Sequence, residues 1–540
     1  MDDSDDDFLD PELARGLGNA APALREWGRL KEIRYRHDRW LTNGKSTALV
    51  AVVYEDDLQE GAQKLILKLD RISDEDLGTA EYVRQRRAWL EAPDFANRHL
   101  AQLASAGHDL VRVGEGRWIL FQKIAGGSVD HLDVLTKYLA SARIGGGPIS
   151  AGGSVRRTVT CDSAAFAAMC GKIVDRVLTG WQGKPALERR SAPAFIADHL
   201  SGRQSRKGIL RNAAAALTAP ALQLPDEPGP LPNPLRLAFH DQVTDGRIVQ
   251  ALLGRAHGDL HTENILIPGR GSLDPSPFRL IDLARYANRA PLTRDPTYLT
   301  LYIIARTLED LSAPQADALI DVLVDPECGR DSVLPGWLRE LLRAVKQAGE
   351  RWAHSHGFTA EWRSQTVLSL VGSALVFLDR PSTRDADRMW FLRLAARAGQ
   401  TFLGPDWPVR GTDTQLVDPL ALLPDRTRPA VSTELEWVAR LCEYLPYMRL
   451  RAGKQGRLDE VEEMERGARA GADLTDAFIE LVRQLGGPTD NLRDPYENNL
   501  LDEVYACPIE TPCARVERAD SSDAEPICHL KGGRMRPEFW

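Results

Sequence analysis

The sequence predicts an α+β fold with two lobes, a small β-rich N-terminal lobe and a large helical C-terminal lobe, followed by a helical appendage. Short apolar runs of strand length are concentrated in the first part of the chain, and long helical patterns dominate from about residue 128 onward. A Pro- and Asp-rich stretch precedes two further helical segments. The chain has 540 residues, of which 43% are hydrophobic and 27% charged, enough for several domains with sizeable cores.

Charge and composition exclude several classes of protein. The formal net charge of -9 argues against general nucleic-acid binding. The acidic start MDDSDDDFLD lacks the basic and apolar regions of a secretory signal. The longest apolar run, 367–378, is too short to span a membrane, and the seven scattered cysteines form no disulfide framework. We therefore expect a cytoplasmic protein with no membrane segment.

The N-terminal part divides into an acidic flexible tail, residues 1–25, and a β-rich lobe, residues 26–127. Apolar runs at 49–54, 65–69 and 118–121 predict strands. Residues 80–90 predict a helix, and Gly126-Gly127 closes the lobe.

The helical lobe is predicted to span residues 128–403. Gly-rich and Pro-rich loops indicate an insertion at about 140–235, which could bind substrate or act as a lid. Helical patterns follow at 336–353, 359–378 and 384–402. Residues 404–430 predict a linker, and residues 431–540 an appendage with one helix from a capping box at Thr433 and Glu436 and another at 473–485.

Two neighbouring segments carry the residues that phosphoryl transfer requires. HGDLHTENILI (257–267) places Asp259 and Asn264 on a loop that enters an apolar strand, and FRLIDLA (278–284) ends a second strand at Asp282. The turn-like residues between them predict a hairpin, which brings Asp282 beside Asn264. Transfer from a nucleotide needs one carboxylate at the accepting oxygen and oxygen ligands that hold magnesium on the phosphates.

HGDLHTEN followed by IDLA resembles the motifs of the protein-kinase-like superfamily that includes aminoglycoside phosphotransferases and choline kinases. The resemblance covers about residues 26–403 and implies a bilobal protein-kinase-like fold that uses ATP and Mg²⁺. It implies that Asp259 is the catalytic base and that Asn264 and Asp282 bind the metal. His257 and His261 would brace the loop by hydrogen bonds. The alternative is a chance HGD loop in an unrelated α/β protein.

Lys68 in LILKLD matches the strand lysine that contacts the α and β phosphates in kinase-like folds. A charge on an internal strand is costly unless it is paired or faces a ligand. Glu81, early in the following helix, is the expected partner, and Glu91 is the second choice. The alternative is a lysine that points to solvent from an edge strand.

Two further segments are candidates for nucleotide contacts. The turn 42–47, with Asn43, Gly44, Lys45 and Ser46, offers backbone N–H groups to phosphate. Its GKS is not a Walker A motif, because position 39 is Arg and no helix follows, and it also lacks the glycines of the protein-kinase loop.

The segment QKIAGGS (122–128) resembles the hinge between kinase lobes. The resemblance implies that the backbone from Gln122 to Ile124 contacts adenine. An ordinary strand end and turn is the alternative.

The order LTNGKSTALV, LKLD, APDFANRHL and IAGGS also resembles the ternary-complex-associated kinase-like domain of bacterial conflict systems. This narrower resemblance implies a protein partner, which the C-terminal appendage could bind. Near the C-terminus, Cys507, Cys513 and Cys528 are candidate ligands of a structural Zn²⁺, against the alternative of a plain tail with free cysteines; no CxxC pair is present.

The residues thus predict a kinase that transfers the γ-phosphate of ATP to a hydroxyl of an unidentified small molecule or protein. The alternative is a nucleotide-binding pseudokinase that acts as a scaffold in a bacterial defence or signalling system. Acetyl or nucleotidyl transfer on the same fold is also open. The sequence does not identify the acceptor, because no rule links side chains of the helical lobe to one substrate.

Overall fold

In a computed structural model of the protein, the chain divides into two compact units: residues 1–39 with 51–424, and residues 40–50 with 425–540. The structure describes the residues in the ranges 8–40, 49–57, 61–71, 81–101, 110–114, 117–124, 132–143, 148–151, 157–200, 209–239, 246–268, 277–380, 382–404, 407, 412–417, 445, 448–449, 452–453, 455–469, 474–484, 504–506, 516–518, 527–528, 533–534 and 536–538.

The N-terminal lobe is built on a five-stranded sheet in the order β1-β2-β3-β5-β4, with β5 antiparallel to both β3 and β4. The three strands predicted from apolar runs are β2, β3 and β5, and the predicted helix is α3. In chain order the lobe consists of α1 (Pro11–Leu17), α2 (Ala21–Lys31), β1 (Ile33–Trp40), β2 (Leu49–Asp57), β3 (Gly61–Arg71), α3 (Glu81–Glu91), α4 (Pro93–His99), β4 (Val111–Gly114) and β5 (Arg117–Lys123).

The prediction of a solvated tail up to residue 25 is wrong for the described residues. Leu9, Leu13, Leu17 and Leu24 are buried, and Asp10 caps α1 by accepting a hydrogen bond from the backbone N–H of Glu12 at 2.7 Å. Leu13 and Leu17 are four residues apart and lie on one face of α1, and Leu24 is buried in α2. Burial of these side chains stabilises both helices against the lobe. The acidic run before them obscured this pattern in the sequence.

The second lobe is mainly helical and also contains small sheets of two or three short strands. Its elements are β6 (Leu132–Val134), α5 (Thr136–Arg143), β7 (Pro148–Ala151), β8 (Arg157–Thr160), α6 (Ser163–Arg176), a π-helix (Val177–Trp181), β9 (Ala186–Ser191), α7 (Ala192–Leu200), α8 (Ile209–Ala216), β10 (Ala221–Gln223), β11 (Leu231–Pro232), α9 (Pro234–Phe239), β12 (Ile248–Ala256), β13 (Ile265–Pro268), β14 (Arg279–Leu280), β15 (Ala287–Pro291), α10 (Arg294–Ala305), α11 (Ala313–Val324), α12 (Gly336–Ser355), α13 (Thr359–Asp379), α14 (Asp385–Leu403) and β16 (Thr414–Leu416).

Helix α13 lies at the centre of this lobe. Every residue from Leu368 to Leu378 is buried, and the helix packs against α7, α10 and α14. Phe377 stacks on Phe391 of α14 with ring centroids 5.3 Å apart. A helix that is apolar all round is stable only inside a core, which explains the long apolar run in the sequence. The predicted helices of this region are confirmed as α12, α13 and α14.

Helices of the segment 140–235, for which the sequence predicts an insertion, contribute side chains to the main hydrophobic core of the lobe. Helix α6 begins at the cap Asp162, whose carboxylate accepts from the Ala165 N–H at 2.7 Å, and it packs along α12. Phe166, Ile173 and Phe195 are fully or almost fully buried in the cluster that also contains α13. The Gly- and Pro-rich loops hid these core helices.

Short strands position the loop that carries the candidate catalytic residues. β12 pairs antiparallel with β9 and β15 and runs directly into residues 257–264. After this loop β13 pairs antiparallel with β14, with Ile265 opposite Leu280, and with β6. The predicted hairpin is therefore present, and it brings residue 282 back to residue 264.

The second unit contains α15 (Leu458–Arg469), α16 (Thr475–Gln484) and the short strands β17 (Val504–Ala506), β18 (Val516–Arg518), β19 (Ile527–Cys528), β20 (Gly533–Arg534) and β21 (Arg536–Glu538). The helix predicted at 473–485 is α16, whereas the one at Thr433 lies outside the described residues. A bidentate ion pair joins Arg449 to the buried Glu465 of α15.

The predicted zinc site is not supported. Cys507 and Cys513 lie outside the described residues, and Cys528 ends β19. The described residues contain no group of three or more His, Cys, Asp or Glu side chains that could hold a metal. Among the same residues, no helix combines the length and apolar character needed to cross a bilayer.

Candidate active site

The loop between β12 and β13 is fixed by the start of α10. The Asp295 carboxylate accepts hydrogen bonds from the backbone N–H groups of His257 (2.6 Å) and Gly258 (2.9 Å). Arg294 donates to the Gly258 carbonyl at 2.8 Å. Gly258 has φ +82°, and a Cβ at this position would lie 2.1 Å from the Arg285 carbonyl oxygen. Only glycine allows this close approach of the two loops without strain.

Both loop histidines brace the backbone, as the resemblance implied. His257 Nε2 lies 2.9 Å from the Ile281 carbonyl oxygen. The His261 ring stacks on Tyr302 with centroids 4.4 Å apart, and its Nδ1 accepts from the Glu263 N–H at 3.3 Å. These contacts hold the loop between α10 and the segment that leads to Asp282.

The Asp259 carboxylate lies in a partly buried and positively charged setting, with 24% of its side chain exposed. Its Oδ2 lies 3.8 Å from His261 Nε2, and its Oδ1 lies 3.7 Å from a guanidinium nitrogen of Arg380. Burial acts to raise the pKa of this carboxyl, but His261, Arg380 and the Tyr298 hydroxyl together hold the pKa well below its usual range. The group is therefore ionised at neutral pH.

Asn264 and Asp282 are brought together by the hairpin. The Ile281 N–H donates to the Asn264 carbonyl at 3.1 Å, and the Asn264 Nδ2 donates to the Asp259 carbonyl at 3.0 Å. With Nδ2 used in this way, Oδ1 is the side-chain atom available to a cation. Asp282 has φ +58°, and its exposed carboxylate follows β14. A non-glycine residue in this left-handed conformation is uncommon and is found preferentially at functional sites.

These two oxygen donors fit magnesium. Mg²⁺ prefers carboxylate and carbonyl oxygens and is commonly held by one or two protein ligands together with substrate phosphates. Asn264 and Asp282 supply that donor set from adjacent positions, so the chemistry of the residues agrees with the ion that the resemblance implies.

The predicted partner of Lys68 is present. Lys68 on β3 lies opposite Leu120 of β5, and its Nζ donates to the Glu81 carboxylate at the start of α3. The two side chains are 14% and 7% exposed, respectively. Lys68 is thus an internal, paired lysine, which excludes the alternative of a solvent-facing residue.

Glu91, the second choice for Lys68, has other partners. Its carboxylate accepts from Arg87 (2.7 Å), Tyr286 Oη (2.8 Å), Asn288 (3.3 Å) and Arg255 (3.4 Å). It therefore joins the end of α3 to β12 and β15. Sequence order allowed both glutamates, but they stand at opposite ends of the helix.

Helix α3 also contacts the residues around Asp282 and the end of β5. Arg84 donates to the Ala284 carbonyl. Gln85 donates to the Ala101 carbonyl at 3.1 Å and accepts from Gln122 Nε2 at 2.5 Å. Gln122 lies opposite Ile66 near the end of β5. Helix α3 therefore contacts Lys68, the end of β5 and the segment that follows Asp282.

The contacts of two further groups of residues with the nucleotide stay predictions. Ile124 directly follows β5 and is 7% exposed. Asn43, Gly44, Lys45 and Ser46 lie outside the described residues.

A column of aromatic rings lies behind the candidate catalytic loop, residues 257–264. Trp181, the last residue of the π-helix, is fully buried between Phe95 (5.2 Å) and Tyr286 (5.5 Å), and it meets the His257 ring edge-on at 6.4 Å. The column packs α4 against the loops that carry Asp259 and Asp282. π-helical turns occur frequently at functional sites.

Asp295 and Arg380 both contact the candidate catalytic loop, and neither was predicted from the sequence. Asp295 stands in a first helical turn, where an acidic residue is ordinary. Arg380 directly follows α13, where a polar residue after an apolar run signals only the helix end. Neither residue is near Asp259 in the sequence, so no local pattern could reveal the contacts.

No protein-family model matches the chain, and no curated protein matches it. Similar solved structures include an amicoumacin kinase in complex with AMP-PNP, Ca²⁺ and Ami, with 10% identity, TM-score 0.32, and coverage of 67% of this chain and 88% of that one. An ethanolamine kinase of Plasmodium vivax has 9% identity, TM-score 0.30, and coverage of 72% and 88%. A protein assigned to the aminoglycoside phosphotransferases from Ralstonia eutropha has 10% identity, TM-score 0.30, and coverage of 70% and 95%.

These neighbours are kinases or kinase-like proteins, but their TM-scores are low. The chain's own elements agree with the two-lobed α+β fold that the sequence predicts. The small sheet carries Lys68, which pairs with Glu81 at the start of α3. The helical lobe carries Asp259 on a loop, followed by the hairpin with Asn264 and Asp282.

Proposed function

We propose that the chain is an ATP- and Mg²⁺-dependent phosphotransferase that transfers the γ-phosphate to a hydroxyl of a small molecule or protein. The observation that carries this proposal is the convergence of Asp259, Asn264 and Asp282 on one loop and hairpin, held by Asp295, His257 and the Gly258 contact. A domain that binds nucleotide without catalysing a reaction does not require an ionised carboxylate held in this way.

Asp259 would accept the proton of the acceptor hydroxyl. The acceptor oxygen then forms a bond to the γ-phosphorus, the bond from that phosphorus to the β–γ bridging oxygen breaks, and ADP leaves. The lowered pKa of Asp259 keeps the carboxylate ionised and able to orient the hydroxyl at neutral pH.

Asn264 and Asp282 would hold Mg²⁺, which when bound neutralises charge on the phosphates. Lys68, oriented by Glu81, would contact the α and β phosphates, and the end of β5 from Gln122 to Ile124 would contact adenine. The Arg84–Ala284 contact keeps α3 beside the segment that carries Asp282. Glu81, which orients Lys68, and the proposed metal ligands would therefore be positioned together.

The test is incubation of the full chain with γ-labelled ATP and Mg²⁺, alone and with cell extract, followed by separation of labelled metabolites and proteins. A labelled product that disappears in Asp282→Ala but persists in Asp331→Ala, a half-buried aspartate on the helical lobe, supports phosphotransfer. Magnesium-dependent binding of ATP without any labelled product supports the alternative of a pseudokinase scaffold.

A further inference from the structure

Arg380 is a buried cation beside the proposed catalytic carboxylate. Its side chain is 10% exposed, and a guanidinium nitrogen lies 3.7 Å from Asp259 Oδ1. The guanidinium also lies over the rings of Tyr298 (5.4 Å), Tyr302 (5.3 Å) and Phe377 (5.3 Å). Aromatic faces attract a guanidinium and shield it from water.

The backbone that carries Arg380 is held by a second arginine. Arg388 of α14, which is 2% exposed, donates to the carbonyls of Leu378, Arg380 (3.1 Å) and Thr383 (3.0 Å). Three hydrogen bonds from one buried guanidinium fix the turn between α13 and α14. The position of Arg380 is therefore set before any ligand binds, which lowers the entropic cost of recognition.

Hydrogen-bond donors remain on Arg380 after these contacts. Within the part of the chain that the structure describes, its guanidinium donates no hydrogen bond, and 3.7 Å from Asp259 is an ion-pair distance only. Neighbouring arginines differ: Arg294 donates to the Gly258 carbonyl, and Arg306 donates to Glu263 and to Tyr302 Oη. A guanidinium has five N–H donors, and leaving them unmatched in a buried site is costly.

The side from which Arg380 enters the site indicates what it binds. The proposed metal ligands lie on the β13–β14 hairpin, and Lys68 lies on β3 of the N-terminal lobe. Arg380 instead comes from the helical layer of α10 and α13. Since the nucleotide is expected between the hairpin and the N-terminal lobe, the helical layer is the side on which an acceptor meets Asp259.

We propose that Arg380 forms an oxyanion subsite for the acceptor, so that the preferred acceptor carries a carboxylate or phosphate group close to the hydroxyl that is phosphorylated. This inference rests on the proposed phosphotransferase function and adds the chemical class of its substrate. A planar guanidinium binds carboxylate and phosphate through paired hydrogen bonds. An acceptor with an ammonium at the same place would meet a buried like charge.

The test compares two small hydroxyl compounds of opposite charge, D-glycerate and ethanolamine. The full chain is first saturated with Mg²⁺ and a non-hydrolysable ATP analogue, and each compound is titrated by calorimetry. We expect glycerate to bind at least tenfold more tightly than ethanolamine. Arg380→Met should abolish this preference, Arg380→Lys should keep part of it, and the matched control Arg384→Met, in the same turn, should keep all of it.

Each result decides between the proposals. Failure of the wild type to bind the Mg²⁺–nucleotide complex overturns the proposed function. Normal nucleotide binding with no preference for glycerate, including no detectable glycerate binding, overturns the acceptor subsite. The same preference in Arg380→Met, with its nucleotide binding intact, also overturns it.

Discussion

The Asp259 carboxylate shows how its neighbours determine a protonation state. Burial alone favours the neutral acid, yet His261, Arg380 and Tyr298 stabilise the anion more strongly, and the pKa falls. The long distances to His261 and Arg380, 3.8 and 3.7 Å, matter as well. They stabilise the charge without the close hydrogen bonds that would compete with an acceptor hydroxyl.

Replacing Asp259 with Asn tests its role as the base. We expect phosphoryl transfer to fall by at least about 100-fold, the lower range for loss of general-base catalysis. Affinity for the Mg²⁺–nucleotide complex should stay within about threefold, because the amide keeps the shape and Asn264 and Asp282 are unchanged. Labelled-ATP turnover and calorimetry measure the two quantities. Turnover within a few-fold of the wild type contradicts the assignment.

Gly258 is the point where the candidate catalytic loop contacts the segment after Asp282. Alanine there combines the strain of a left-handed conformation with a collision against the Arg285 carbonyl. We expect Gly258→Ala to lower the free energy of unfolding by at least about 2 kcal/mol and to abolish turnover. Denaturant unfolding and the labelled-ATP assay measure these changes.

Gly329 provides the matched control. Its φ is +72°, but a Cβ there meets nothing within 4 Å. Gly329→Ala should therefore lose only about 1 kcal/mol and keep activity. Equal losses in the two variants show that strain alone, and not the contact between loops, explains the effect at Gly258.

The Lys68–Glu81 pair joins β3 to α3. Its contribution to stability can be measured separately from the proposed contribution of Lys68 to nucleotide binding. Lys68→Met leaves Glu81 buried without its cation, so we expect a loss of about 3 kcal/mol in stability. Adding Glu81→Leu should recover most of that stability, whereas Mg²⁺–ATP affinity should stay at least tenfold reduced in both variants.

Lys64→Met, on the same strand, is the control. Lys64 is 32% exposed and pairs with Asp38 at 3.2 Å. The free energy of unfolding and the affinity for Mg²⁺–ATP should therefore both change little. Recovery of nucleotide affinity in the double variant shows that Lys68 serves stability alone.

Elements with a strong local signal were predictable from the sequence. β3 and β5 are short apolar runs, and α13 is a long one, so each could be recognised without knowing its neighbours. The β13–β14 hairpin followed from two apolar strands around a turn. The sequence favoured Glu81 as the partner of Lys68 but could not exclude Glu91. The choice depends on which end of α3 faces β3, and the sequence does not show this.

Contacts between distant segments could not be predicted in this way. Arg380, Asp295 and Arg388 act on the catalytic loop through packing of α10, α13 and α14. Their sequence surroundings are those of ordinary helix ends. The N-terminal leucines of α1 had a local signal, but the neighbouring acidic run indicated a tail. The helices in segment 140–235 were hidden by loops that suggested an insertion.

The described residues proposed for catalysis all lie in the unit of residues 1–39 and 51–424. A chain that ends at Pro424 should therefore bind the Mg²⁺–nucleotide complex within about threefold of the full chain. Calorimetry on both proteins, with circular dichroism as a check of folding, measures this. A tenfold loss of affinity in the folded truncated protein shows that the C-terminal unit contributes to nucleotide binding.

The aromatic column of Phe95, Trp181 and Tyr286 provides an intrinsic fluorescence probe of the catalytic loop. An indole fixed between two rings and against His257 has an emission that depends on how those neighbours move. Subtracting the spectrum of Trp181→Phe from that of the wild type isolates this one fluorophore among the twelve tryptophans. We expect Mg²⁺–ATP to change the difference spectrum in proportion to site occupancy. Binding that leaves it unchanged shows that the loop does not move when nucleotide binds.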